Sequence, residues 1–336
     1  MANEWIDDTA ALEARLGKPP SAMHLKVIDH LDTTALQWLA ASPLMFACFG
    51  SASGIDISLA GGEPGFISAT DSSRMRVPKR FLDDPSLGIK GQRFGSLCLI
   101  PAIGESLRIN GRVAAVDQEA IEVSVEECYV HCAKALIRSN FWGASPSAAV
   151  PSDPVDFLSA SQFVALASMD AEGRADVSPK GDPAGTMVRL SDTEVCFADR
   201  PGNRRADSFR NILTQPRVAA AVLIPGSARI ALIHGEAQIT KDVHLLGSFA
   251  VHDKIPLLAT RSEYPNIVLI ESPALDRARL WPASRGDHTV DPAATLVAHV
   301  RLNKERGLMA TLVRTAVSFP SLMQKGLDRD YKANLY

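Results

Sequence analysis

The sequence predicts a mainly β protein with peripheral helices, built from two antiparallel β units in tandem and followed by a helical tail. Three observations predict it. After Pro43, short apolar runs alternate with clusters of Gly, Ser, Asp and Pro, the texture of a meandering antiparallel sheet or barrel. Landmarks in the first half recur in the same order in the second. A chain of 336 residues, 46% hydrophobic, is long and apolar enough for about two buried cores.

Residues 9–16 and 32–41 show helical apolar spacing, and Asp32 is placed to cap the second helix ahead of Thr33. They make 1–42 an N-terminal helical segment. The first β unit spans 43–142, with strands over Leu44–Phe49, Gly54–Ser58, Gly95–Ile100, Ser106–Val116 and Ile121–Val130. Cys132–Ser139 reads as a short helix or a strand end. Residues 143–154, rich in Pro, Ser and Ala and nearly uncharged, read as a linker. The second unit spans 155–285. The tail, 286–336, has helical spacing from about 292. Val297, Val300, Leu302, Leu308, Leu312 and Val313 are candidates for its buried side, with Leu322, Met323 and Leu327 following Pro320. It is expected to pack across the two units.

The repeat rests on collinear matches. Leu99-Ile100-Pro101 is followed by Gly111 at the same distance as Leu223-Ile224-Pro225 by Gly235. Upstream, Asp56–Gly65 aligns with Asp176–Gly185; downstream, Arg138–Trp142 aligns with Arg277–Trp281. A Pro cannot donate to a ladder and suits a strand end, whereas an interior Gly marks a bulge or a close backbone approach.

A formal charge of −3 and a pI near 6.3 argue against a general nucleic-acid binder, which needs a basic surface. The first 18 residues carry Glu4, Asp7, Asp8 and Glu13 and lack the basic start and apolar run of a signal peptide. No apolar stretch approaches the ~20 residues that span a bilayer. Five cysteines in mostly apolar surroundings read as reduced thiols, and a cytoplasmic protein is expected.

Against this acidic background, Asp199–Arg217 holds Arg200, Arg204, Arg205, Arg210 and Arg217. Pro201-Gly202 is a turn and Asn203 a candidate N-cap, with a helix expected from there to about Leu213. Two arginines in a first helical turn sit at the wrong end for the helix dipole unless an anion lies among them, and a phosphate suits arginine forks and helix N–H groups together. An ordinary solvated helix face is the alternative. Lys180, after Ser178-Pro179 at a strand end, offers a further phosphate or ring contact, or simply a turn. A third segment holds Cys128, His131, Cys132, Lys134 and Arg138. The spacing of its Cys and His does not suit one tetrahedral metal, and adjacent residues on a strand point to opposite faces, which disfavours a catalytic pair. No dinucleotide fingerprint, phosphate loop or nucleophile elbow is found.

Taken together, these segments resemble the pyridoxamine 5′-phosphate oxidase-like FMN-binding superfamily. They are most similar to a branch carrying Asp-x-Ser-Pro-[Arg/Lys]-Gly-Asp-Pro, Asp-Arg-Pro-Gly-Asn-Arg-Arg-x-Asp and a later His-Cys-Ala-Lys-Ala strand. Here these are Asp176–Pro183, Asp199–Asp207 and His131–Ala135, and the likeness covers roughly residues 30–285 in two copies. It implies split β-barrels that face each other as a dimer, with FMN in the groove between them. By that similarity Ser178, Pro179, Lys180 and Gly181 lie beside the flavin, while Asp199, Arg200, Asn203, Arg204 and Arg205 belong to the phosphate-clamp motif. His131, Cys132, Lys134, Arg138 and Trp142 come from the late strand near the ring.

The motifs are divided between the copies. The second keeps the phosphate segments but ends in Ala274–Trp281, without His-Cys-Ala-Lys. The first keeps His131–Lys134 but has Ala60 in place of Lys180, no Asn-Arg-Arg, and a Lys79–Pro101 stretch four residues shorter than Asp199–Pro225. One chain is therefore expected to mimic the family's dimer, as an intrachain pseudo-dimer with one complete FMN site and one degenerate groove. The resemblance implies an oxidoreductase that exchanges hydride at flavin N5 with an unknown small-molecule substrate or electron donor. A flavin carrier or sensor without turnover, or a flavin-free structural barrel, are the alternatives. No residue is singled out as catalytic, although His131 and Lys134 lie nearest the ring. No metal, nucleic-acid or membrane partner is expected, and a further homodimer is left open.

Overall fold

The computed structural model describes residues 4–20, 24–147, 149–202, 205–307, 311, 314 and 320–336, without the side chains of 320–322. Helices α1 (Thr9–Leu16) and α2 (Thr33–Ala41) come first. Asp8 and Asp32 cap them, their carboxylates accepting the N–H groups of Ala11 and Ala35 at 2.7 and 2.8 Å.

The first sheet contains β1 (Leu44–Ser51), β2 (Gly54–Gly61), β3 (Ser68–Asp71), β4 (Arg74–Pro78), β5 (Arg93–Leu99), β6 (Ser106–Val116) and β7 (Ala120–His131), and helix α3 (Lys134–Arg138) follows it. After α4 (Pro154–Ala160) come β8 (Phe163–Met169), β9 (Ala175–Gly181), β10 (Val188–Leu190), β11 (Glu194–Asp199), α5 (Asp207–Thr214), β12 (Arg217–Leu223) and β13 (Arg229–Thr240). The second sheet is completed by α6 (Val243–Ser248), β14 (Leu258–Glu263), β15 (Asn266–Glu271) and α7 (Pro273–Ala278). Helices α8 (Pro292–Leu302) and α9 (Pro320–Ala333) lie beyond it. The fold is thus mainly β with peripheral helices, as expected.

Both sheets are antiparallel and share one strand order. The first runs β2-β1-β5-β6-β7-β4-β3 and the second β9-β8-β12-β13-β14-β11-β10. The long strand β7 pairs with β6 along its length, whereas in the second sheet β14 and β15 divide the same role against β13.

Period-2 alternation distributes the side chains among three large cores and a small fourth one around Phe249. In β1, Met45, Ala47 and Phe49 point into the first sheet's own core, and Leu44, Phe46 and Cys48 point the other way. In β8, Val164 and Leu166 enter the second sheet's core while Phe163, Ala165 and Ala167 face the first sheet. Strands with apolar residues on both faces therefore read as unbroken apolar runs. The middle core joins the two halves: Phe46 packs on Phe163 with ring centroids 5.8 Å apart, and Phe141 on Phe163 at 4.9 Å.

Two glycines allow the closest approach across this joint. A Cβ on Gly61 would lie 2.0 Å from the Ala274 carbonyl oxygen, and a Cβ on Gly181 the same distance from that of Ala135.

Two expectations are corrected. The helix after the Pro201-Gly202 turn begins at Asp207, not beside Asn203, because Ala206 adopts a left-handed φ of 53° and breaks the chain's entry into it. Arg205 therefore precedes the first turn instead of sitting in it, and Asn203 and Arg204 lie outside the described residues. In the tail, Val297 and Val300 are buried but Leu302 is 44% exposed, since α8 ends there and turns away. Leu308, Leu312 and Val313 lie outside the described residues, as does the side chain of Leu322, while Met323 and Leu327 are half-buried. Among the described residues no helix is long and apolar enough to cross a membrane.

Candidate functional site

A cleft of about 410 Å³ opens where the two halves meet. Its volume lies within the ordinary range for cofactor and small-molecule pockets. The first half contributes His131 and Cys132, at the end of β7, and Lys134, Ala135 and Arg138 of α3. The second half contributes Ser178, Pro179 and Lys180 of β9, Asp199 of β11, the segments Arg200–Gly202 and Arg205–Ser208, and the loop Lys254–Leu257. Leu16 and Tyr336 complete the lining.

Six cationic side chains line this cleft (Lys134, Arg138, Lys180, Arg200, Arg205 and Lys254) against two carboxylates, Asp199 and Asp207. That excess favours an anionic ligand. The cations are differently committed. Lys180 Nζ donates to Asp199 Oδ1 at 2.9 Å and lies 5.1 Å from the Phe209 ring centre. Arg200 donates to Asp182 Oδ2 at 2.7 Å and to the Phe249 and Lys254 carbonyls, so much of its fork holds the neighbouring loop in place. Arg138 donates to the carbonyls of Gly181, Pro201 and Leu335. Lys134 pairs with Asp330 at 2.8 Å.

Arg205 donates to Asp207 Oδ2 at 2.8 Å, and its guanidinium lies 4.7 Å from the centre of the Tyr129 ring. Behind it stands Arg108, fully buried on β6. Arg108 crosses from the first half to the second, donating to the Val177 carbonyl at 2.6 Å, Ser178 Oγ at 3.3 Å and Asp207 Oδ2 at 3.0 Å, and also to the Tyr129 hydroxyl at 2.8 Å. Lys26, 8% exposed, donates to the Val130 carbonyl. Burial and the charge of Arg205 bring its pKa down to about 8. Burial, reinforced by Arg108, Lys26 and Arg205, holds the His131 ring well below its ordinary pKa and hence neutral. Its Nδ1 is buried and lacks a hydrogen-bond partner.

Burial also lifts the Asp176 carboxyl, to about 6, against the pull of Arg108. The partly opposed Asp207 is held below its usual range by Arg205 and Arg108 despite its burial.

Of the residues expected at the site, the structure gathers Ser178, Pro179, Lys180, Asp199, Arg200, Arg205, His131, Cys132, Lys134 and Arg138 around this one cleft. Gly181 lies just behind the wall and offers its carbonyl to Arg138. Trp142 is not in the lining: its indole N–H donates to the Ile103 carbonyl at 2.6 Å and its ring packs on Phe141. The sequence reading missed Arg108, Tyr129, the 254–257 loop and Tyr336, and gave Asp207 no role beyond closing the Asp199–Asp207 motif. Arg108 had a signal. Alternation on β6 sends Leu107 and Ile109 to the core, which puts Arg108 with Ser106 and Asn110 on one polar face of a buried strand. Nothing local marks Tyr336, which reaches the cleft only through the path of the tail.

The corresponding place on the other side of the molecule is smaller and differently lined. Arg277 donates to the Gly61 carbonyl at 2.8 Å, as Arg138 does to Gly181, and to the Phe81 carbonyl, as Arg138 does to Pro201. Ala60, at the position of Lys180, is fully buried and bridges Leu82. The Asp83 carboxylate accepts from the Ser272 hydroxyl and the Ala274 N–H. A recess of about 310 Å³ remains, lined by Gly62, Glu63, Phe81, Asp276, Arg277 and Arg279.

Residues 154–279 match the family model for pyridoxamine 5′-phosphate oxidase. No curated protein matches the chain. Similar solved structures include HupZ of Group A Streptococcus, 17% identical, with 34% of this chain and 88% of that one covered and a TM-score of 0.28. General Stress Protein 26 of Bacillus anthracis str. Sterne is 14% identical over 35% of this chain and 92% of that one, also with a TM-score of 0.28. An F420 reductase is 18% identical over 37% and 100% of the two chains, again at 0.28. The stretch matched by the pyridoxamine 5′-phosphate oxidase model, residues 154–279, is the one that carries the Asp-Val-Ser-Pro-Lys-Gly-Asp-Pro and Asp-Arg-Pro-Gly-Asn-Arg-Arg segments.

Proposed function

We propose that this chain binds one FMN in the cleft between its halves and acts as an oxidoreductase on a small molecule. The observation that carries the reading is the meeting, in one cationic cleft, of the second half's Ser178–Lys180 and Asp199–Arg205 segments with the first half's His131–Arg138 segment. Two features of the cleft fit the group: the excess of cations suits a phosphate, and the unpartnered His131 Nδ1 suits a ligand that offers a hydrogen bond. Lys134 and Arg205 would face the phosphate, with Lys180 and His131 toward the ring. Bound there, a flavin supplies the hydride and electron transfer that side chains do not.

The chain's own part is to bind, orient and exclude water. Arg108 fixes the wall by tying Val177 and Ser178 of one half to Tyr129 of the other. The neutral His131 adds no charge beside the cations. We further read the common strand order, and the paired contacts Arg138–Gly181 and Arg277–Gly61, as the trace of a tandem duplication in which one of two equivalent sites decayed. Phe81, Leu82 and Asp83 occupy the decayed one.

Titration of ligand-free protein with FMN and with riboflavin tests the reading. FMN should bind at least about tenfold more tightly, the factor that about 1.4 kcal/mol of phosphate recognition carries. Equal affinity for the two would remove the phosphate from the account. Reduction of the bound flavin by a nicotinamide cofactor, followed by reoxidation, separates an enzyme from a carrier or sensor.

A further inference from the structure

The segment 323–336 touches the cleft at its cations, and this contact is not required by the flavin reading. Lys134, only 4% exposed, spends its charge on Asp330, a side chain 46% exposed, at 2.8 Å. Tyr331 donates to Glu105 Oε1 at 2.9 Å and accepts from the Ala133 N–H at 3.5 Å, immediately beside Lys134. Arg138 donates to the Leu335 carbonyl at 2.7 Å. The ring of Tyr336 lines the cleft, with the Arg200 guanidinium 5.5 Å from its centre and the His252 ring 5.8 Å away.

Beyond these contacts the segment rests against α8. None of the described side chains from Met323 to Tyr336 is buried. An element held by rim polar contacts and by side chains that are only partly buried opens at lower cost than the sheets beneath it. The open space of about 410 Å³ nevertheless persists with the segment docked, so the segment walls the cleft without filling it.

We propose that residues 323–336 form a lid that closes over the ligand in the flavin cleft, latched by Asp330 on Lys134 and by Tyr331 on Glu105. The proposal rests on the flavin reading for the identity of the ligand but not for the existence of the latch. With the lid shut, exchange of the bound group is slow and small reagents reach the cleft poorly. Opening breaks one ion pair and a few hydrogen bonds and uncovers no fully buried side chain of the segment itself.

The test uses the full chain carrying Asp330→Asn and Tyr331→Phe together, neither residue being part of the cleft lining. Without ligand, alkylation of Cys132 by iodoacetamide should be roughly fivefold faster in the variant than in the parent. With FMN bound, iodide quenching of its fluorescence and its dissociation on dilution should both increase by a similar factor. Hydrogen exchange at 323–336 in the parent should slow when FMN is added. If Cys132 reacts at the same rate in both proteins, the latch does not exist. A variant that binds FMN more tightly than the parent would make the segment a competitor for the cations and overturn the closing role. Absence of FMN binding in both proteins, with faster alkylation in the variant, would sink the flavin reading and leave the lid standing.

Discussion

Arg138 donates its Nε–H to the carbonyl of Gly181 at 2.9 Å, joining the helix that trails the first sheet to the end of a strand in the second. Arg277 repeats the bond to Gly61 at 2.8 Å in the opposite sense. Each arginine also caps a second carbonyl on the half it reaches, Pro201 or Phe81. Replacing either by Met leaves the carbonyl of a buried glycine, Gly181 or Gly61, without this donor, at roughly 1–3 kcal/mol. Arg138→Met and Arg277→Met should therefore lower the urea midpoint by comparable amounts. Only Arg138→Met should also weaken FMN binding, because only Arg138 lines the open cleft. Equal loss of flavin affinity in both would show that the two grooves are not distinct.

The glycines under those bonds give a second comparison. Gly181→Ala and Gly61→Ala each place a methyl 2.0 Å from a backbone oxygen, Ala135 or Ala274, which no side-chain rotation relieves. The halves must part slightly, at a cost of about 1–3 kcal/mol for overpacking a tight joint. Thermal unfolding followed by circular dichroism should show both variants melting below the parent. An unchanged melting temperature would place the close approach elsewhere.

Stability should depend on pH through Asp176. Burial keeps the proton on this carboxyl up to about pH 6 in the folded chain, against an ordinary value of 3.8. Between about 4 and about 6 the folded state thus holds a proton that the unfolded state has released. The resulting stabilisation is full below that window and is lost as pH rises through it, to an extent on the order of 2–3 kcal/mol. Asp176→Asn removes this titration. The difference in unfolding free energy between parent and variant should change across pH 4–6 and be flat above it. A difference that is flat throughout contradicts the assignment.

Cys132 is the one free cysteine that is not buried, and it lines the cleft. Burial around it raises its thiol above the usual range, which slows but does not prevent its reaction. A limiting thiol reagent should label Cys132 ahead of Cys48, Cys98, Cys128 and Cys196, and bound FMN should protect it. Peptide mapping by mass spectrometry reads both outcomes, and labelling that ignores the flavin would place the ligand away from this wall.

Much of the fold was legible because its signals are local. Alternating apolar runs announce the strands, Asp32 announces α2, and the Leu-Ile-Pro and later Gly landmarks announce two sheets of common order. The residues that meet at the cleft were legible through contiguous strings such as Ser178-Pro179-Lys180. What was not legible depends on the path of the chain in space. Ala206 looks like an ordinary helical residue, yet its left-handed conformation delays α5 and leaves Arg205 against Tyr129, a residue 76 positions away. Arg108 and Asp207 are far apart in sequence and become partners only once the halves pack. Trp142 follows the cleft residues in sequence, but α3 ends and turns its ring onto Phe141 instead.

The most direct measurement is the identity and amount of small molecule released when the purified chain is denatured, read by mass spectrometry and visible absorbance. One FMN per polypeptide is the expected result, held by the cleft that His131, Lys134, Lys180 and Arg205 line. Two per polypeptide would mean that Phe81 and Asp83 do not close the second groove. No flavin, with none taken up on addition, would contradict the account at its root.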